Sequence, residues 1–127
     1  MATRTKVSSG SPWEAVVGYS RAIRVGNHIE VAGTTAMDGD RVVGEGEPYA
    51  QTQRALEIIG QALGELGADR SQVVRTRLFV TDISAWQQIG RAHGEFFGKT
   101  RPVTTMVQVS ALIDPRLLVE IEATAIC

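Results

Sequence analysis

The last quarter of the chain limits most sharply what the protein can fold into. Residues 117–126 read LLVEIEATAI, a period-two alternation with Val119, Ile121, Ala123 and Ala125 on one face and Glu120, Glu122 and Thr124 on the other. A segment of this kind is a strand with one buried face, and here the opposite face carries two carboxylates two residues apart. A second β-rich segment, residues 103–109, lies just upstream; Pro102 opens it and the turn-forming Ile113-Asp114-Pro115-Arg116 closes the stretch between the two. The pattern predicts a pair of neighbouring strands. Thr104, Met106 and Gln108 then share a face that looks across the sheet at the carboxylates, with a small polar pocket between them.

Upstream, the signals alternate. Residues 1–12 are rich in Ser, Thr and Gly and have no period, so a loosely ordered lead-in is expected. Residues 13–25 and 27–34 both lean towards strand, and Gly26-Asn27 between them is a two-residue hairpin turn. In the second, Ile29, Val31 and Gly33 share a face opposite His28, Glu30 and Ala32, and Gly33 marks a close approach of backbone or ligand. Asp38-Gly39-Asp40 turns into a short third strand at residues 41–43. Pro48 then opens a helix whose Ala55, Ile58, Ile59, Ala62, Leu63 and Leu66 recur at helical spacing until Gly67 stops it.

Residues 73–81 form a strand with Arg75 and Arg77 on one face and Thr76, Leu78 and Val80 on the other. Asp82 or Ser84 caps a second helix whose stripe is Trp86, Ile89, His93, Phe96 and Phe97. Gly90 and Gly94 inside it cost about 1 kcal/mol each relative to Ala, which implies close packing or a nearby ligand. The predicted order is β-β-β-α-β-α-β-β: a single α+β domain over residues 1–127, in two layers, with a mixed sheet of about six strands and two helices on one face. The segments at 73–80 and 103–109 are apolar on both sides. An uncovered sheet face would therefore expose too much apolar surface, and self-association follows.

A net charge of -1 gives no electrostatic footprint for a phosphate backbone, so nucleic acid is an unlikely partner. No run approaches the ~20 apolar residues of a membrane span, and a cytoplasmic location is expected. The single cysteine, Cys127, has no mate for a disulfide, and at a frayed terminus it would make a poor nucleophile. His28, His93 and Cys127 lack metal-site spacing, and the acidic Gly44-Glu45-Gly46 would repel phosphate. No metal or cofactor is expected.

Four strings occurring in order, GNHIEVAGT, EPYAQTQRAL, VVRTRLFVTDIS and RPVTTMVQVSALIDPRLLVEIEATAI, together resemble the Rid family, also called YjgF/UK114 or endoribonuclease L-PSP. The resemblance covers about residues 19–126. It implies a chorismate-mutase-like fold and a homotrimer with small-molecule clefts between subunits. It also implies hydrolysis of reactive imino or enamine acids to keto acids and ammonia. By the same resemblance, Tyr19 and Gly33 fall on pocket positions and Glu120 on the glutamate that holds the hydrolytic water. Ala32 stands where many members have serine, and Gly90 where the deaminases have asparagine. Thr104 replaces the arginine that forks onto the substrate carboxylate. A charge-assisted contact of that kind contributes roughly 1.5–3 kcal/mol, which threonine cannot supply. Arg101, three positions earlier, is expected to point to the opposite face.

The resemblance thus implies an imine or enamine hydrolase that is poor on α-imino acids, with Glu120 ordering water and Tyr19, Ala32, Gly33, Gly90, Thr104 and Thr105 binding substrate. A non-catalytic metabolite-binding protein is the alternative, and a nuclease or translation inhibitor the third reading. Each residue also has a plainer role. Glu120 could pair with Arg75 or Arg77, Tyr19 and His93 could be core, and Thr104 and Thr105 could be ordinary β-branched strand filling.

Overall fold

The computed structural model describes residues 3–127. Eight strands occur in chain order: β1 (Arg4–Val7), β2 (Ala22–Val25), β3 (His28–Thr34), β4 (Met37–Asp38), β5 (Arg41–Val42), β6 (Val73–Val80), β7 (Val103–Gln108) and β8 (Val119–Ile126). The α-helices are α1 (Pro12–Val17), α2 (Pro48–Glu65) and α3 (Trp86–Phe97). Six of the strands form one mixed sheet in the order β1-β2-β3-β8-β6-β7. Helices α2 and α3 pack together and cover one face of it. The predicted α+β class, the six-stranded mixed sheet and the pair of long helices on one face all hold.

The core lies between helices and sheet. Ala55, Leu56, Ile59 and Leu63 of α2 meet Ile29 and Val31 of β3, Leu78 and Val80 of β6, and the Val119, Ile121, Ala123 and Ala125 face of β8. Each fully buried Leu, Ile or Val side chain contributes about 1.5–3 kcal/mol. Gln51 is buried in the same layer. Its amide donates to the Arg116 carbonyl at 2.8 Å and its carbonyl accepts from the Leu118 N–H at 2.8 Å, so α2 fixes the point where the chain enters β8.

Four expectations need correction. Residues 4–7 of the expected lead-in form edge strand β1, antiparallel to β2; Met1 and Ala2 lie outside the described residues. Residues 13–17, read as strand, belong to helix α1. The predicted third strand lies in a separate ribbon, Met37–Asp38 with Arg41–Val42, outside the main sheet. Finally, β7 and β8 are not neighbours: β6 runs between them, antiparallel to β8 and parallel to β7. A parallel pair needs a crossover, and α3 supplies it. The Gly26-Asn27 hairpin is as predicted, with Val25 opposite His28. At the C-terminus, the Cys127 N–H donates to the Asn27 carbonyl at 2.8 Å, so the chain end is tied to the hairpin rather than frayed.

Candidate functional site

The face of the sheet away from α2 and α3 carries a depression of about 290 Å³, lined by Tyr19, Ala32, Gly33 and Glu120 together with Trp13, Val17, Arg21, Thr35 and Ile113. Three local features build it. The first is α1, started by the Ser11 side chain accepting from the Trp13 N–H and by Pro12 in its first turn, and ended by Gly18 at φ 88°. Its brevity lets the chain turn back so that Tyr19 and Arg21, just ahead of β2, line the pocket beside it.

The second feature is a bulge in β3. Val31 pairs with Ala123 and Thr34 with Ile121, so Ala32 and Gly33 together face the single residue Glu122. The slip breaks the expected alternation: Thr34 turns into the core while Gly33 comes out against β8. A Cβ on Gly33 would lie 2.8 Å from Glu120 Cδ and would collide with Oε2. The close approach predicted at Gly33 is therefore the carboxylate of Glu120.

The third is Glu120 itself, half-buried on β8. Burial, and then the neighbouring charge of Glu122, push its carboxyl above the ordinary range; Arg21 partly offsets them. Its row across the sheet is Phe79, then Val107. Among the described residues no arginine forms an ion pair with it. Arg77 instead pairs with Glu122 at 2.7 Å, so the ion pair weighed for Glu120 belongs to its neighbour.

The structure separates the remaining candidates from this pocket. Thr104 opposes Thr76 and points to the helix side, not towards the carboxylates as expected. Its hydroxyl lies 2.8 Å from that of Thr76, which lies 2.8 Å from Nε2 of His93. Thr105 is on the carboxylate face but two strands from β8, beyond Arg77. Neighbouring strands are about 4.8 Å apart, so Thr105 stands about 10 Å or more from Glu120 in the same protomer. Gly90 sits on α3. A Cβ at Gly90 or at Gly94 would meet nothing within 4 Å, so the close protein packing expected there does not occur. Arg101 precedes β7 at φ 44° and lines the same shallow depression as Thr104, His93 and Phe97; it is not on the opposite face.

Two residues that matter here escaped the sequence reading. Glu14 and Arg21 are 5% and 4% exposed and pair at 3.3 Å beneath the pocket wall. Ser11-Pro12 followed by Glu14 is a helix-start signal that could have revealed α1. Nothing local signals that Arg21 is buried.

The family model described as Endoribonuclease L-PSP matches residues 10–127. The chain belongs to that family. Rv2704 of Mycobacterium tuberculosis, whose crystal structure is described as that of a member of the YjgF/YER057c/UK114 family, is 54% identical. The two superpose with a TM-score of 0.89 over 98% of this chain and 100% of that one. An uncharacterized protein of Streptomyces coelicolor is 44% identical over 120 residues, 94% of this chain and 90% of that protein. 3-aminoacrylate deaminase RutC of Acinetobacter baylyi is 32% identical over 108 residues, 84% of this chain and 85% of that protein. The pocket at Glu120 brings together four of the candidate residues, Tyr19, Ala32, Gly33 and Glu120. Among the described residues, no helix is long and apolar enough to cross a membrane, and no three of His, Cys, Asp and Glu gather as metal ligands would.

Proposed function

We propose that this L-PSP family member hydrolyses a small imine or enamine, with Glu120 as the group that orders and deprotonates water. The observation that carries the reading is a half-buried carboxylate without an ion-pair partner among the described residues, set against a bulged glycine in an otherwise largely apolar depression. An enamine first tautomerises to its C=N form, its nitrogen giving a proton to solvent as its β-carbon takes one. As water adds to the C=N carbon, Glu120 takes one of the water protons and the π pair moves to nitrogen, which takes a proton from solvent. The carbinolamine then gives its hydroxyl proton to solvent as the C=O bond forms and the C–N bond breaks, and Glu120 returns its proton to the leaving amine. One water is consumed and one carbonyl and one amine or ammonia are released. A carboxyl that burial holds above its ordinary range suits both directions of transfer. The similarity to RutC supports the reaction class.

Thr104, Thr105 and Gly90 join this site only from a second copy. The exposed apolar residues include Val16, Val17 and Ile113 at the pocket end of the sheet and Val103 and Val107 on edge strand β7. Two different patches on one protomer suit a head-to-tail ring, and a homotrimer is the ring the family resemblance implies. In that ring Thr104 faces the cleft where other members present arginine, and the preferred substrate lacks a carboxylate.

The test compares imines released in situ by amino-acid oxidase, which bear a carboxylate, with one released from phenylethylamine by a flavin amine oxidase, which does not. Semicarbazide traps what survives. Wild type should clear the second faster, and Thr104→Arg should gain about ten-fold or more on the first, from roughly 1.5 kcal/mol or more of charge-assisted binding. If wild type clears both equally and Arg101→Gln abolishes the first, Arg101 provides the grip and the substrate assignment is wrong. Tight binding of an imine analogue without turnover would instead favour the non-catalytic reading.

A further inference from the structure

Arg21 is a cation beside the pocket, yet its donors are all spent. A guanidinium has five N–H groups. Nε faces Ser9 Oγ at 3.3 Å and Glu14 Oε2 at 3.4 Å. Nη1 donates to the Gly33 carbonyl at 2.6 Å and to Thr34 Oγ1 at 3.0 Å. Nη2 donates to Glu14 Oε2 at 3.3 Å and to the Tyr19 hydroxyl oxygen at 3.3 Å. Glu14 is itself held by the hydroxyls of Ser8, at 2.9 Å, and Ser9. Such a guanidinium cannot fork onto a substrate.

Its contacts fall on both walls of the site. On one wall it clamps the bulge, since Gly33 and Thr34 both accept from Nη1 and the Thr34 hydroxyl donates onward to the Ala32 carbonyl at 2.7 Å. That bulge sets Gly33 against Glu120. On the other wall Tyr19 accepts from Nη2, so one lone pair of its oxygen is occupied. Among the described residues the Tyr19 hydroxyl donates to no acceptor, so its proton is free for a partner in the pocket that Tyr19 lines.

We propose that Arg21, held by Glu14, is the positioning residue of this site, fixing the Gly33 bulge against Glu120 and turning the Tyr19 hydroxyl into a donor aimed at the substrate. The inference rests on the hydrolase reading for what the donor meets: the nitrogen of the C=N group, or the oxygen forming on its carbon. A phenol donor suits a neutral acceptor. The substrate class is accordingly an uncharged imine or enamine whose polar end reaches Tyr19 while its apolar part lies along Trp13, Val17 and Ile113.

Two readouts separate this role from simple structural support. The first is a double-mutant cycle on kcat/KM with the phenylethylamine-derived imine. Tyr19→Phe should lose about ten-fold in wild type, the worth of one well-placed hydrogen bond, and less than about two-fold in an Arg21→Gln background, where the hydroxyl is no longer aimed. Equal losses in both backgrounds would overturn the proposal. The second needs no turnover: carbon-detected NMR titration of Glu120. Its midpoint should rise in Arg21→Gln, because the nearby positive charge is gone, and should stay near the wild-type value in Arg21→Lys. An unchanged midpoint in Arg21→Gln would overturn the placement of Arg21 beside Glu120. Where Arg21→Gln folds poorly because Glu14 is left unpaired, the Glu14→Gln, Arg21→Gln double variant carries the same tests. Should wild type clear no imine, the hydrolase reading fails and the titration still decides the role of Arg21.

Discussion

Gly33 and Glu120 face one another across the β3–β8 pair so closely that a methyl group on the glycine would occupy the space of the glutamate carboxyl. Gly33 is not among the residues of positive φ, so its backbone would accept alanine. The glycine is there for room. Gly33→Ala should turn the Glu120 side chain out of the pocket, because the colliding atoms are the end of a flexible side chain. Clearance of imine should fall at least ten-fold while the denaturation midpoint moves by less than about 1 kcal/mol of stability, below the usual overpacking range. A variant with full activity would show that Glu120 need not stand where it does.

The raised carboxyl of Glu120 has a stability signature. Its folded pKa lies above the ordinary value of 4.5, through burial first and Glu122 second. The group therefore favours folding most below the unfolded value and loses that contribution as pH rises through the folded one. Glu120→Gln removes the cost of ionising in place. The variant should melt higher than wild type at neutral pH, with the difference shrinking as pH falls through the raised folded value and gone below about 4.5. Thermal melts across pH 3–8 decide it, and a variant that melts lower at neutral pH would contradict the assigned shift.

His93 gives the opposite slope. Burial holds its pKa below 6.5, and its Nε2 meets the Thr76 hydroxyl at 2.8 Å. As pH falls below 6.5 the unfolded chain takes up a proton that the folded chain resists, so this contribution, present above that pH, is lost on acidification. His93→Gln should flatten the acid limb between pH 6.5 and the lower folded value. Thr76→Val, which leaves the ring nitrogen without its partner, should cost about 1–3 kcal/mol in urea unfolding.

The secure parts of the sequence reading rest on period. The alternation in residues 117–126 named the buried face of β8, and the spacing from Ala55 to Leu66 gave α2, because both patterns repeat often enough to outweigh local noise. Three things were not legible. Trp13, Val16 and Val17 lean towards strand by propensity, yet a capped start at Ser11-Pro12 makes them helical, since capping decides a segment this short. Adjacency along the chain suggested that β7 pairs with β8, but the parallel crossover through α3 inserts β6 between them. The buried pair Glu14–Arg21 depends on tertiary closure, which no local pattern reports. Of the candidate site, Tyr19, Ala32, Gly33 and Glu120 converge in one protomer, whereas Gly90, Thr104 and Thr105 lie elsewhere on its surface.

The central claim is that Glu120 carries the proton transfers of C=N hydrolysis, and the rate of imine clearance by wild type and Glu120→Gln measures it most directly. With the imine from phenylethylamine, kcat should fall by about 100-fold or more in the variant, the range of a lost general base, with KM little changed. In wild type kcat/KM should follow a single ionisation lying above the ordinary carboxylate range. Equal kcat for the two proteins, with or without that pH dependence, would contradict the account.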